Sequence, residues 1–378
     1  MVLSLLMECY RYYDKNNNMI RMCGLRSGRT SREALQLKRE AITRTILDTI
    51  VDRAIRDIGE DPQRSLRKLV DMGQTFAKGP FQKRYIGTIQ QMLENGGSPY
   101  YDLVQDTVRS TDRVNLRTFG VNIGWQCWTV GARQIRSVES CEGYDIPWSV
   151  TFRLEEAEPS QRANYFRLLD EGRGLGIYTY FLHCGASDHA IEIALDLARQ
   201  APECAFPLFL SPGLVESWMD RLSSLPNLLI LLDTGCEDWQ AAAALLRKAR
   251  RFFGYFIRCD STDCADRVLS GAWVQSLLGH GGSMAFCLPE ECCPDAVISR
   301  LHTYVETARS GQKQPLMLLD YYQDILLVDG IISESPRYLE LFPDGQAAAY
   351  TDGCKESLPV LSQQQSLADF FRNNFPRA

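Results

Sequence analysis

No excess of basic charge runs through this sequence: 41 lysines and arginines stand against 47 acidic side chains, for a net charge of −6 at pH 7. Generic binding to nucleic acid or to an anionic membrane is therefore not expected, because both need a positive field. Long apolar runs are missing too. The stretch Leu228–Leu232 ends at Asp233, far short of the ~20 residues that a membrane span takes. The apolar opening Met1–Met7 meets Glu8 at once and has neither a basic leader nor a small-residue cleavage site. No signal peptide is expected, and the cytoplasm is the expected compartment. With 45% apolar and 23% charged residues, 27 glycines and 16 prolines, a disordered chain, a collagen-like repeat and a coiled-coil rod are excluded. Histidine is scarce, at four residues in 378, and no Ser/His/Asp or Cys/His constellation can be assembled from the order of residues.

Cysteine, by contrast, is abundant: 13 thiols, an odd number, run from Cys9 to Cys354. A chain with room for roughly two or three domains needs no disulfide framework. In a reducing compartment, each thiol defaults to a small, soft core residue.

The chain divides by rhythm into four parts. Residues 1–29 read as an arm and 30–146 as an all-helical domain. In the latter, Thr30-Ser-Arg-Glu33 fits a capping box. Ile42, Ile46, Ile50 and Ala54, with Ile58 behind them, repeat at the spacing of one helix face before Gly59 and Pro62 stop it. Arginines there alternate with acids, which reads as an ion-paired solvated face. Further helices are expected over 62–77, 81–94 and 99–113. From Pro147 the pattern becomes βα units, with strands at Trp148–Leu154, Ile177–His183, Ala205–Leu210, Leu228–Leu232, Phe252–Arg258 and Met284–Leu288. Six such units over 147–311 favour a partial TIM-type (β/α)6 barrel over an open doubly wound sheet. Residues 312–378 read as a small β-rich segment, with strands around Leu316–Tyr322, Leu326–Val328, Tyr338–Phe342 and Ala347–Tyr350, an Asp344-Gly345 hairpin turn and a last helix over Ser366–Asn373.

Several segments carry a resemblance. Phe119–Gly124, Gly131–Arg136 and Tyr144–Trp148, then Gly174–Tyr180, Ala205–Gly213 and Arg337–Gly345, are together similar to a group of bacterial radical S-adenosylmethionine (radical SAM) proteins with an N-terminal helical extension. The resemblance covers most of residues 57–375 and implies that 312–378 is a remnant of a SPASM-type segment. It also implies a set of cofactor residues, and those are replaced here. The family's Cys-x-x-x-Cys-x-x-Cys loop after the first strand, which holds a [4Fe–4S] cluster through thiolates, is Glu155-Glu-Ala-Glu-Pro-Ser160 in this chain. The Gly-Gly-Glu-Pro element is Cys184-Gly-Ala-Ser187, where only Gly185 fits. The Asn-Gly after the third strand is Pro212-Gly213, and the acidic position after the fourth is Thr234, beside Asp233. Ile331 and Tyr350 stand where relatives carry auxiliary-cluster cysteines.

The resemblance thus implies a radical-SAM-like protein without cluster or SAM. The expected role is a non-catalytic binding or scaffold partner of an active relative, a peptide or a small molecule. The rival is an enzyme with a repurposed site at the barrel mouth, where strand ends gather. Its candidate groups are His183, Cys184, Gly185, Asp233, Asp260 and Glu290, with Cys259, Cys264, Cys287, Cys292 and Cys293 as metal candidates. Neither cysteine spacing is a recognised zinc or iron–sulfur pattern. A third reading keeps SAM binding without radical chemistry. The run Gly279-His-Gly-Gly282 lacks a following Lys-Ser/Thr and reads as a connector, not a phosphate loop.

Overall fold

A computed structural model describes residues 31–68, 93–290, 293–333, 335–351 and 354–377. The arm over 1–29, the capping residue Thr30, much of the helices expected over 62–77 and 81–94, and Cys292 lie outside the described residues. The first helix, α1 (Ser31–Glu60), stops beside Gly59 as expected. Its buried stripe meets the expected one only towards the C-terminal end, at Ile58 and the partly buried Ala54. Leu47, Val51, Ile55 and Ile58 turn inward, against Val104 and Val108 of α2 (Pro99–Ser110) and Val121 of α3 (Arg113–Val121). Ile42 and Ile46 are 61% and 45% exposed. Both stripes carry the repeat that a helix face needs, and the packing partner decides which one is buried. The charged face is ion-paired: Asp52 meets Arg113 and Arg117 at 3.1 and 3.7 Å, and Arg53 lies 3.9 Å from Asp57.

A π-helical segment (Asn122–Gly131) and α4 (Ala132–Glu142) complete this region. Two buried asparagines join it to the base of the sheet. Asn115 donates to the carbonyls of Pro226 and Leu228 and accepts from the Phe252 N–H. Asn122 donates to Pro202 and Cys204. Gly131 and Gly176 touch so closely that a Cβ on Gly131 would stand 2.3 Å from the Gly176 carbonyl, so only glycine fits.

The remaining chain builds one ten-stranded sheet. Its strands are β1 (Ser149–Arg153), β2 (Thr179–Gly185), β3 (Phe206–Leu210), β4 (Leu228–Asp233), β5 (Phe253–Cys259), β6 (Met284–Pro289), β7 (Met317–Asp320), β8 (Glu340–Leu341), β9 (Ala347–Thr351) and β10 (Cys354–Leu358). The spatial order is β10-β9-β8-β1-β2-β3-β4-β5-β6-β7. Pairing is parallel from β8 through β7 and antiparallel among β8, β9 and β10. From β1 to β7 the order never reverses, as it would in a doubly wound sheet. The result is a curled, mostly parallel half-barrel flanked by helices. These are α5 (Arg162–Leu175), α6 (Asp188–Gln200), α7 (Val215–Ser224), α8 (Trp239–Lys248), α9 (Thr262–Leu269), α10 (Ala272–Leu277), α11 (Asp295–Gly311), α12 (Tyr321–Ile332) and α13 (Leu367–Asn374). Burial on both faces explains why β3 and β4 are continuous apolar runs.

Two expectations for the C-terminal segment change. The strand near Leu316 is β7, parallel to β6 and continuous with the βα series. Leu326–Val328 lies inside α12, not in a strand. Asp320 starts that helix by accepting the Gln323 N–H at 3.1 Å. Asp329 anchors it by accepting the Trp148 N–H at 2.7 Å. Capping and burial together override the strand preference of Leu-Leu-Val. The Asp344-Gly345 turn does close the β8–β9 hairpin, with Gly345 at φ 86°. Among the described residues no helix is long and apolar enough to cross a membrane.

Candidate functional site

Side chains alternate between the two faces of a strand, so contacts at one position orient its neighbours. Phe256 of β5 and Phe286 of β6 reach Phe209 of β3, with ring centroids 5.0 and 5.8 Å apart. Those rings therefore point into the concave interior. His183 stacks on Phe209 at 4.2 Å, with the two ring planes nearly parallel. Tyr321, first residue of α12, enters the same space. Its hydroxyl lies 2.9 Å from Thr151 Oγ1 and 3.0 Å from His183 Nε2, and its ring meets Phe181, Phe209 and Phe286. The axis of the half-barrel is thus packed with aromatic rings around a small polar knot. Burial, reinforced by Arg153, Arg258 and Lys355, holds the His183 pKa well below the usual histidine range. It is a neutral imidazole in the core.

Above this plug, at the carboxyl ends of the strands, a chain of ion pairs crosses the mouth. Lys355 of β10 meets Glu340 of β8 at 2.7 Å, and Glu340 meets Arg153 of β1 at 2.9 Å. Arg153 pairs with Glu155 at 3.0 Å, and Glu155 with Arg258 of β5 at 3.3 Å. Arg258 also faces Asp233 and Glu290, each at 3.9 Å. Glu340 is only 1% exposed, and such a carboxylate is tolerated only when paired. Burial opposes the Arg153 charge, but Glu340 and Glu155 outweigh it and raise its pKa. Burial raises the Asp233 pKa, against the Gly235 N–H and Arg258.

The candidates from sequence fall into two groups. His183, Asp233 and Glu290 do gather at or beneath the mouth. Gly185 is there as well, with φ 55°, and a Cβ on it would meet the Glu155 side chain at 2.9 Å. Asp260 lies exposed just past β5. Cys184, Cys259 and Cys287 end their strands as expected, but their side chains turn the other way. Each follows or precedes an inward residue (His183, Arg258, Phe286) and so faces the helices. All three are buried. Cys264, in the first turn of α9, joins Cys259 and Cys287 there, and Cys293 is buried after β6. Among the described residues no three His, Cys, Asp or Glu side chains are set to hold a metal ion.

Other positions have plain structural duties. Thr234 donates to the Phe256 carbonyl and accepts from Trp273 Nε1, both at 2.9 Å. Ser187 caps α6. Tyr350 stacks on Tyr322 at 4.1 Å. His189 lies in the first turn of α6, and His280 sits in a turn against Trp239.

The residues that sequence reasoning missed are Arg153, Arg258, Glu340 and Lys355. One signal was available: Arg153 is the last residue of β1 and Arg258 the last but one of β5, each a lone charge at an inward position of its strand. No protein-family model matches the chain, and no curated protein matches its sequence.

Proposed function

We propose that this chain is a radical-SAM-like protein that has given up cluster and SAM chemistry and acts by binding, as a partner of an active relative, a peptide or a small molecule. In this reading the half-barrel is the six-unit partial TIM-type barrel of that superfamily, preceded by its helical domain and followed by a remnant of its C-terminal segment. The observation that carries the proposal is the ion-pair chain from Lys355 to Arg258 over the Tyr321 plug. An iron–sulfur cluster needs thiolates. The Glu155–Ser160 loop instead sends a carboxylate to two arginines, and the buried thiols Cys259 and Cys287 face away from it. The residues present do not fit the cluster, and no radical step is derived for them. The direct experiment is anaerobic reconstitution with iron, sulfide and a reductant, followed by a search for 5′-deoxyadenosine from added SAM. None is expected, and sustained production would refute the proposal.

A second reading, a repurposed mouth that binds a small polar ligand, has one observation behind it. His183 Nδ1 and Arg258 Nε are buried without a hydrogen-bond partner, which in native proteins asks for a water or ligand. Soaking crystals in small carboxylates tests it: density against His183 Nδ1 and Arg258 Nε is expected, and its absence would contradict this reading.

A further inference from the structure

Cys259 and Cys287 take no part in the mouth. They lie on neighbouring strands, face the helical layer, and hold their sulfurs 3.6 Å apart in a buried setting. Cys264 extends the pair, with its sulfur 3.8 Å from Cys259 Sγ and 3.2 Å from the Arg258 carbonyl. Ser261 fixes this thiol by capping α9 through the Cys264 N–H. Cys264 is only partly buried, so it connects the inner pair to solvent. The hydrogen bond from Cys264 lowers the Cys259 pKa, but Cys287 and burial outweigh it, while Cys259 and burial raise that of Cys264. Protonated thiols in contact gain little from one another, because S–H is a weak donor and sulfur a weak acceptor.

The donor set selects the ion. Closed zinc sites use four ligands in a tetrahedron, and no such group is present among the described residues. Thiolates select soft ions, Cu(I) among them, and a d10 monovalent ion is satisfied by two sulfurs. We propose that Cys259 and Cys287 form a two-thiolate site for Cu(I), which reaches them by way of Cys264. A sulfur–metal bond of ~2.3 Å lets one ion span sulfurs up to roughly 4.6 Å apart, so the present spacing closes on an ion through a small side-chain torsion. Binding exchanges two S–H protons, released to solvent, for two Cu–S bonds. The copper stays Cu(I), and no oxidant or reductant is needed. The site is independent of the closed mouth, on the opposite face of the sheet.

The test is an anaerobic titration of the full chain with Cu(I), supplied as its acetonitrile complex and contested by a chromophoric Cu(I) chelator. Wild type is expected to withhold one equivalent. Cys259→Ala and Cys287→Ala should withhold none, whereas at equilibrium Cys264→Ala should keep one but load several-fold more slowly than wild type, and the remote control Cys204→Ala should keep one and load at the wild-type rate. X-ray absorption of the loaded wild type needs no variant and should show two sulfur neighbours. The proposal is overturned by no withheld equivalent, by retention in the Cys259→Ala/Cys287→Ala double variant, by loss in Cys264→Ala, or by a copper shell with a third sulfur or with nitrogen or oxygen.

Discussion

Arg258 and Glu155 meet at 3.3 Å across the mouth of the half-barrel, one at the end of β5 and the other just past β1. Between them they close the end of the sheet where a fold of this kind would hold its chemistry.

Removing Arg258 as Arg258→Met should leave Glu155 and Asp233 half-buried and under-compensated. We expect a loss of roughly 1–3 kcal/mol in urea unfolding, with an unchanged denaturant slope. Glu155→Gln should cost less, because Arg153 and Arg258 keep Glu340, Asp233 and Glu290. A double-mutant cycle should return a coupling of at least about 0.5 kcal/mol. Strict additivity would mean that the pair is close without contributing to stability, as exposed ion pairs often are.

Tyr321→Phe keeps the ring and deletes the hydroxyl that serves Thr151 and His183. Two buried polar groups lose their partner, at a cost of about 1–3 kcal/mol. Tyr321→Ala should cost about 3–5 kcal/mol, because it also opens a cavity among Phe181, Phe209 and Phe286. Thermal and urea unfolding of the two variants separate the polar and packing contributions.

Leu47→Ala and Ile42→Ala distinguish the two stripes of α1. The buried leucine should cost about 2–5 kcal/mol, and the exposed isoleucine should stay within about 0.5 kcal/mol. Equal losses would place both side chains in the core and contradict the observed face.

Two histidines should oppose each other as pH changes. His302 lies 3.4 Å from Asp320, and that contact raises its pKa against the effect of burial. Its contribution is full below the unfolded value near 6.5 and fades as pH rises through the folded value. Burial instead lowers the His183 pKa, so below about pH 6.5 the unfolded chain takes up that proton first and the fold loses stability. His302→Asn should therefore cost most at acidic pH and least at alkaline pH. His183→Asn should flatten the acid loss. Urea midpoints from about pH 5.5 to 8.5 check both slopes.

The strands were the most legible part of the sequence. Leu228–Leu232 became Leu228–Asp233, and Met284–Leu288 became Met284–Pro289, because strands buried on both faces announce themselves as short apolar runs. The helix face of α1 was not legible, since Ile42 and Leu47 belong to equally regular stripes and only α2 and α3 choose between them. The mouth was legible in its location and hidden in its contents. His183, Asp233 and Glu290 could be placed at strand ends, but Glu340 meets Arg153 from 187 residues away, and no local pattern encodes that pairing. The cysteines misled for a simpler reason. Ending a strand fixes a residue's height on the barrel, while the alternation set by Phe256 and Phe286 fixes its side.

Calorimetric titration of SAM into anaerobically reconstituted protein tests the closed mouth most directly. A mouth filled by Tyr321 and bridged by Arg153, Glu155 and Arg258 should give no saturable heat. Saturable binding near one equivalent, lost on substitution of residues at the mouth, would contradict it.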